Sequence, residues 1–471
     1  MNAVGRRVVV FFCAGLIALA AADHASAFSK QDLKLRMDDG VELAATLYEP
    51  STPPPLEGYP AIVLLHGLGG NRHQLDPLAE HWANTFAVLS FDARGHGQSG
   101  GLVSIDGPRE IKDTRAVYDW LSLRLEIDQS HIGAWGISLG GGAVLRSLVE
   151  GVPWTAVEVA QTWTDLYSAL APQSLAKSGA IFQFLNSVPQ NRLDPSVLAI
   201  KDDALASRNL SVLRAFGAQR STRALLSKVR TPVYFFQGRR DFAFDIAQAT
   251  AGYRLVKGPK SLYIGDFGHA PSTFPGPDFA QVLAESTRWF SMYLLGVASV
   301  ASPLSLAPDP WRGKPVTYRA LPPTRRLRFG FGRRNTLTGV GKAVRTSGRL
   351  RTRIETFGSA EVRVTARLSG GWSRVVAVLS AKAPRGKTFV VSEGGVNTAG
   401  LRGRHRLAIR LINDATLIPR RAKLTLTLAS SSMAQDPSNL LYLDLPMPAK
   451  AKVSLGPAQL ILPVLRIPVS R

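Results

Sequence analysis

The sequence predicts an α/β unit, a parallel sheet with helices on both faces and a helical cap insertion, followed by an all-β, sandwich-like unit. Three observations carry this expectation. Apolar strand-like runs that end in glycine or polar loops alternate with helix-spaced segments between residues 61 and 295. The alternation lapses between 163 and 228, where helical patches follow one another without a clear strand. From about 326, short runs of alternating apolar and polar residues take over, separated by Gly and Ser turns. At 471 residues the chain is also too long for one ordinary core.

Taken in order, residues 33–49 read as two strands around the turn Asp38-Asp39-Gly40. Ala61 to Leu65 is a continuous apolar run, the mark of a buried parallel strand, and it ends in His66-Gly67-Leu68-Gly69-Gly70. Gln74 to Asn84 has helical character. Phe86 to Phe91 is a second buried strand, and it ends in Asp92-Ala93-Arg94-Gly95-His96-Gly97-Gln98-Ser99-Gly100-Gly101. Pro108 to Leu125 carries Ile111, Val117, Trp120 and Leu121 at helical spacing. Ile132 to Trp135 is a strand that runs into Gly136-Ile137-Ser138-Leu139-Gly140, and Ala143 to Val149 has helical spacing again.

Thr155 to Val159 is the next strand, and an insertion directly after it would sit over the carboxyl edge of the sheet. Residues 163–228 are therefore read as the cap. Val233 to Phe236 precedes Gly238-Arg239-Arg240-Asp241, and Ala247 to Leu255 is a helix. Ser261 to Ile264 precedes Gly265-Asp266-Phe267-Gly268-His269, and Asp278 to Leu295 is a long closing helix. The expected boundaries are 1–27 for an export signal, 28–300 for the α/β unit, 301–325 for a linker and 326–471 for the β unit.

Charge separates the two units. Residues 1–300 hold 27 basic and 27 acidic side chains, whereas 301–471 hold 30 basic against 7 acidic, which is the whole formal charge of +23. A solvated arginine-rich surface accounts for such a balance. The sharper reading is adhesion to an anionic polymer or membrane surface. No recognition motif accompanies the charge, so nucleic acid is not expected.

The N-terminus reads as an export signal, with Arg6-Arg7 as the charged region, Val8 to Ala22 as the apolar region and Ala25-Ser26-Ala27 as the cleavage site. The apolar run is short for a membrane span. The expected destination is secreted or periplasmic, with no transmembrane segment after cleavage. Cys13 is the single cysteine, so the mature chain would carry no disulfide.

The chemistry gathers at strand ends, where ligands bind in open α/β sheets. Gly136–Gly140 has the form strand, tight turn, helix with Ser138 at the apex, a nucleophile elbow. Ser138 is a weak nucleophile until a base takes its proton. His269 is the candidate base, because neutral imidazole accepts a proton near physiological pH. Asp241, directly after a buried strand, is the candidate acid that fixes the His tautomer. Asp245 and Asp266 are local rivals for that role, and His66 and His96 are rival bases whose glycine loops suggest structural duty. The backbone N–H of Leu139 and, from the loop at 66–70, that of Leu68 are the expected oxyanion donors. No cluster calls for a metal or a cofactor.

With these residues in place, the chain resembles the α/β-hydrolase superfamily over about 33–298. More narrowly it resembles the X-Pro dipeptidyl-peptidase and cocaine-esterase-like (CocE/NonD) acyl hydrolases. Asp92 to Gly101 is similar to that family's D-x-R-G-x-G-x-S-x-G, a cap follows the elbow, and the β unit is similar to its jelly-roll domain. The resemblance implies Ser138, Asp241 and His269 as nucleophile, acid and base. The sequence departs from the family at Leu139, where the family usually has Tyr, and at His66-Gly67-Leu68, where relatives often use a tyrosine hydroxyl.

The expectation is an exported serine hydrolase that cleaves small-molecule esters or amides through an acyl-enzyme on Ser138. An X-Pro dipeptidyl-peptidase-type aminopeptidase is the alternative. Such an exopeptidase needs carboxylates to hold a substrate amine, and the cap offers Asp165, Asp194, Asp202 and Asp203. A reading of another class is a surface- or polymer-binding protein with a vestigial hydrolase domain.

Overall fold

A computed structural model describes residues 27–269 and 274–470. The expected export signal therefore lies outside the described residues, except for Ala27.

The first unit is built on one sheet. Its early strands are β1 (Phe28–Arg36), β2 (Glu42–Pro50), β3 (Tyr59–Leu65), β4 (Ala87–Phe91) and β5 (Ile127–Ile137). It continues with β6 (Val157–Ala160), β7 (Val233–Arg240), β8 (Lys260–Gly268), β9 (Leu304–Leu306) and β10 (Val316–Tyr318). The order across the sheet is β1-β2-β4-β3-β5-β6-β7-β8-β9-β10. β1 and β2 form an antiparallel hairpin, β2 pairs antiparallel with β4, and the strands from β4 through β9 are parallel. The central strands β3, β4 and β6 are buried at every position, as their unbroken apolar runs require when helices cover both faces.

Those helices are α1 (Asp76–Trp82), α2 (Pro108–Ser122), α3 (Leu139–Val149), α8 (Ile246–Leu255) and α9 (Phe279–Leu294). Between β6 and β7 lies the cap, formed by α4 (Leu166–Leu170), α5 (Ser178–Asn186), α6 (Pro195–Ala206) and α7 (Leu210–Ala218). Asp165 and Asp194 accept from first-turn amides of α4 and α6, Ser168 N and Ser196 N, and so set where those helices start.

The linker expected at 301–325 is corrected by the structure, because β9 and β10 extend the sheet through it. These strands are three residues long, and β10 is largely exposed, so neither carries enough alternation to announce itself.

The second unit contains β11 (Thr324–Phe331), β12 (Asn335–Thr338), β13 (Ala343–Arg349), β14 (Ile354–Glu355), β15 (Glu361–Ser369) and β16 (Arg374–Lys382). It also contains β17 (Thr388–Asn397), β18 (Gly403–Arg410), β19 (Leu417–Ile418), β20 (Lys423–Ala429) and β21 (Lys452–Leu465). One sheet runs β11-β21-β15-β18, with β12 also on β21; the other runs β13-β20-β16-β17. Val362, Val364, Leu460 and Leu462 from the first sheet share one core with Ala377, Leu379, Leu424 and Leu426 from the second.

The two units are fastened by a buried polar contact. Arg239 and Glu355 form an ion pair with both side chains fully buried. Glu355 also accepts from the amides of Val469 at 2.6 Å and Ser470 at 2.9 Å. Arg239 Nε donates to Ala415 O at 3.0 Å. A buried pair is tolerated when further hydrogen bonds satisfy both ions, and removal of one partner strands the other.

Candidate active site

The register of the sheet brings the expected residues together. β5 ends beside β3, with Leu65 opposite Gly136, so the loop after β3 meets the turn at Ser138. A register shift between Gly238 and Arg240 sets Arg240 opposite Gly268. The next residues, Asp241 and His269, therefore stand side by side.

Ser138 occupies φ 54°, ψ −114°, a conformation a non-glycine residue adopts only under constraint. The constraint is close packing around it. A Cβ on Gly140 would lie 2.1 Å from Leu65 O, and one on Gly136 would lie 2.3 Å from Gly140 O. The Ser138 carbonyl accepts from Thr162 Oγ1 at 2.8 Å and Gly142 N at 3.0 Å, and its amide donates to Ala160 O at 2.9 Å.

From Ser138 a chain of hydrogen bonds runs inward. Ser138 Oγ is 3.2 Å from His269 Nε2, and His269 Nδ1 is 2.9 Å from Asp241 Oδ2. Asp241 is fully buried, and its other oxygen accepts from the amides of Ala243 and Phe244, each at 2.9 Å. Gln237 Nε2 donates to Asp241 Oδ2 at 3.0 Å and to Phe244 O at 2.6 Å. Those donors hold the carboxylate in place against His269 Nδ1, and with the proton on Nδ1 the Nε2 atom would face the hydroxyl as an acceptor.

The rings of Phe184, Phe242 and Phe244 lie 5.9, 6.1 and 5.3 Å from that of His269. They shield the imidazole from water. Beneath them, Lys177 is buried and donates from Nζ to Phe242 O and Ala243 O at 2.9 Å. Burial pushes this ammonium below its usual range.

Leu139 is the first residue of α3, so its amide is one of those the helix leaves unpaired. Leu68 follows Gly67, where a Cβ would stand 3.5 Å from Ser138 Cβ, so this loop abuts the elbow. Leu68 and Leu139 both line the cavity at Ser138.

The rivals have other employment. His66 is buried, its Nδ1 lies 2.8 Å from Gly67 O, and its Nε2 accepts from Ala93 N at 3.0 Å. It staples the Leu68 loop to the loop after β4. Burial lowers the pKa of His66 and lowers that of His96 to about 4, so both sit neutral. Asp245 caps α8 and accepts from Asn413 N at 2.8 Å. Asp266 pairs with Arg240 at 2.8 Å and accepts from Trp311 N at 2.8 Å.

Asp92 to Gly101 is scaffold. Asp92 accepts from Arg72 Nη1 at 2.6 Å, Arg72 N at 2.6 Å and Gln98 N at 2.8 Å. Arg94 forks onto Asp113 at 2.6 and 2.9 Å. Ser99 Oγ donates to Asp92 O at 2.6 Å and accepts from Ala44 N at 2.9 Å, which ties the loop to β2.

This geometry can be set beside known proteins. Residues 39–271 match the family described as X-Pro dipeptidyl-peptidase (S15 family). A CocE/NonD family hydrolase from Staphylococcus aureus superposes with a TM-score of 0.72, covering 93% of this chain and 94% of that one at 13% identity. The chain has the α/β-hydrolase fold. An alpha-amino acid ester hydrolase superposes on this hydrolase with a TM-score of 0.66 over 95% of it and 98% of the other chain, at 14% identity. Over 133 residues it is 34% identical to the quorum-quenching protein AidA of Acinetobacter baumannii. That match spans 27% of the hydrolase and 43% of the relative.

Sequence reasoning missed Gln237, Lys177 and the three phenylalanines around His269. Gln237 bonds Asp241 and the Phe244 carbonyl, Lys177 holds the carbonyls of Phe242 and Ala243, and the phenylalanines converge from the cap and that loop. None of these leaves a local pattern.

Proposed function

We propose that this α/β-hydrolase is an exported serine hydrolase that cleaves esters, and amides more slowly, through an acyl-enzyme on Ser138. His269 Nε2 takes the Ser138 proton as Oγ attacks the carbonyl carbon. The amides of Leu139 and Leu68 receive the oxyanion, and the alcohol leaves with the proton from His269. Water then attacks the acyl-enzyme, His269 again serving as base, and the carboxylic acid departs.

One observation favours an ester of an apolar acyl group over an X-Pro peptide. The cavity at Ser138, about 70 Å³, is walled by Leu68, Ile105, Leu139, Trp163, Phe184 and Phe244 among other apolar side chains. It adjoins a second cavity of about 100 Å³ inside the cap, with Ile105, Leu166, Leu170, Ile181 and Leu185 lining both. No carboxylate lines either one among the described residues. The cap carboxylates that could have held a substrate amine are spent elsewhere: Asp165 and Asp194 cap helices, Asp203 binds Arg208, and Asp202 is exposed.

A series of p-nitrophenyl esters of graded chain length, run beside Gly-Pro-p-nitroanilide, tests this. We expect kcat/KM to rise by up to about fourfold per methylene while the chain fills the two cavities, as burial of about 0.8 kcal/mol per CH₂ implies. Preference for the dipeptide anilide, or a flat ester series, would contradict it. The export reading rests on the sequence pattern at 1–27. Periplasmic and culture fractions would report it.

A further inference from the structure

Seven arginines of the second unit share the outward face of the sheet β11-β21-β15-β18. Alternation sends Val362, Val364 and Leu368 of β15 into the core and leaves Arg363 and Arg367 outside. On the neighbouring edge strand β18, Arg404, Arg406 and Arg410 are exposed. Pairing sets Arg367 opposite Arg404, Thr365 opposite Arg406, and Glu361 opposite Arg410. On the far side of β21, Arg326 and Arg328 of β11 face the same way.

Two arginines directly opposite on one face destabilise a sheet. Glu361 pairs with Arg363, while among the described residues Arg367, Arg404 and Arg406 have no ion-pair partner. The first unit contrasts with this, since there Arg72, Arg94 and Arg109 each find carboxylates.

On this face a trough of about 810 Å³ crosses the strands, with Arg363 and Arg406 on its walls and a single carboxylate, Glu361, which pairs with Arg363. Its floor is low because Gly330, Gly332, Thr365 and Ala408 are small. A Cβ on Gly330 or Gly332 would meet nothing within 4 Å, so packing does not demand glycine there. Ala is also a poor strand former at an exposed position such as 408.

We propose that this trough binds an extended anionic polysaccharide, its carboxylate or sulfate groups held by the arginines on either side. The guanidinium fork suits carboxylate and sulfate oxygens. No large apolar side chain is exposed on this face among the described residues, so it lacks what would enter a membrane. It also lacks exposed aromatic rings on which nucleic-acid bases would stack. The inference stands apart from the esterase reading, because it concerns a different unit and a non-reacting ligand.

The full-length protein is titrated with polygalacturonate and with heparin, and in parallel with phosphatidylglycerol vesicles and duplex DNA. Binding to at least one glycan is expected, weakening steeply with salt. Arg363→Gln/Arg406→Gln, the two arginines on the trough walls, should lower glycan affinity at least tenfold with the melting temperature little changed. The matched pair Arg351→Gln/Arg353→Gln, exposed outside the trough, should change affinity less than twofold. Ala408→Ile, which fills the trough without changing charge, should also weaken binding. Four results would each overturn the proposal: no glycan binding; equal loss in the two arginine pairs; no loss in Ala408→Ile; or tighter wild-type binding to vesicles or DNA than to either glycan.

Discussion

The loops after β5, β7 and β8 and the loops after β3 and β4 use the same residue types. Each set holds a fully buried aspartate, a buried histidine and glycines that let backbone approach closely. In the first set the chain from Asp241 through His269 ends on Ser138, which lines a cavity. In the second, both nitrogens of His66 are satisfied by backbone, and Asp92 is closed off by Arg72 and two amides. The difference teaches that burial and residue type do not separate chemistry from scaffold here. What separates them is whether the hydrogen-bond chain stops at a group with room beside it.

Substitution can break that comparison. Ser138→Ala should lose at least about ten-thousand-fold in kcat with little change in melting temperature. Asp241→Asn should lose about ten-thousand-fold, because the amide favours the wrong His269 tautomer. Asp92→Asn is the counterpart on the scaffold side. It leaves Arg72 buried with only the largely exposed Asp32, at 3.7 Å, as a charge partner, so about 3–5 kcal/mol of stability should go. The fraction that stays folded should keep kcat within about tenfold, well short of the loss at Asp241. An Asp92→Asn enzyme that is fully stable and catalytically dead would reverse the assignment of the two loops.

How much of this was legible follows from the kind of information each residue leaves. Ser138, Asp241 and His269 follow buried strands within a few residues, so apolar runs and chain order point to them. The glycines around His96 suggest structural duty, but what the loop from Asp92 to Gly101 ties together was not legible. Its partners Arg72, Asp113 and Ala44 are distant in sequence, and a repeated glycine pattern looks the same in a binding loop. In the β unit, the alternating runs of β15 and β18 stand out, whereas β21, a central strand of fourteen residues, does not. Its prolines at 457 and 463 and its run Leu460-Ile461-Leu462 break the period of two.

The buttress beneath Asp241 offers a smaller effect. Lys177→Met removes the two bonds that fix the carbonyls of Phe242 and Ala243, so kcat should fall about tenfold while KM holds. Lys177→Arg should recover part of that loss, which a purely structural role would not produce.

A further effect is one of pH. Glu158 is fully buried, accepts from Trp135 Nε1 at 2.7 Å and Ser286 Oγ at 2.6 Å, and burial raises its pKa to about 8 from an ordinary 4.5. Between those values the folded protein holds a proton that the unfolded chain has released. Stability therefore falls as pH rises through that window and levels off above it. Glu158→Gln should remove this slope, so the melting temperature of the variant relative to wild type should climb from about pH 5 to about pH 8. Parallel pH profiles for the two proteins would contradict the assignment.

The central claim is that Ser138 is the residue that carries the acyl group. Intact-mass spectrometry after reaction with a fluorophosphonate tests it most directly. We expect one adduct per chain on wild type, mapped to the peptide containing Ser138, no adduct on Ser138→Ala, and an adduct retained on folded Asp92→Asn. An unlabelled wild-type protein, or equal labelling of Ser138→Ala, would contradict the account and favour a binding protein with an idle hydrolase fold.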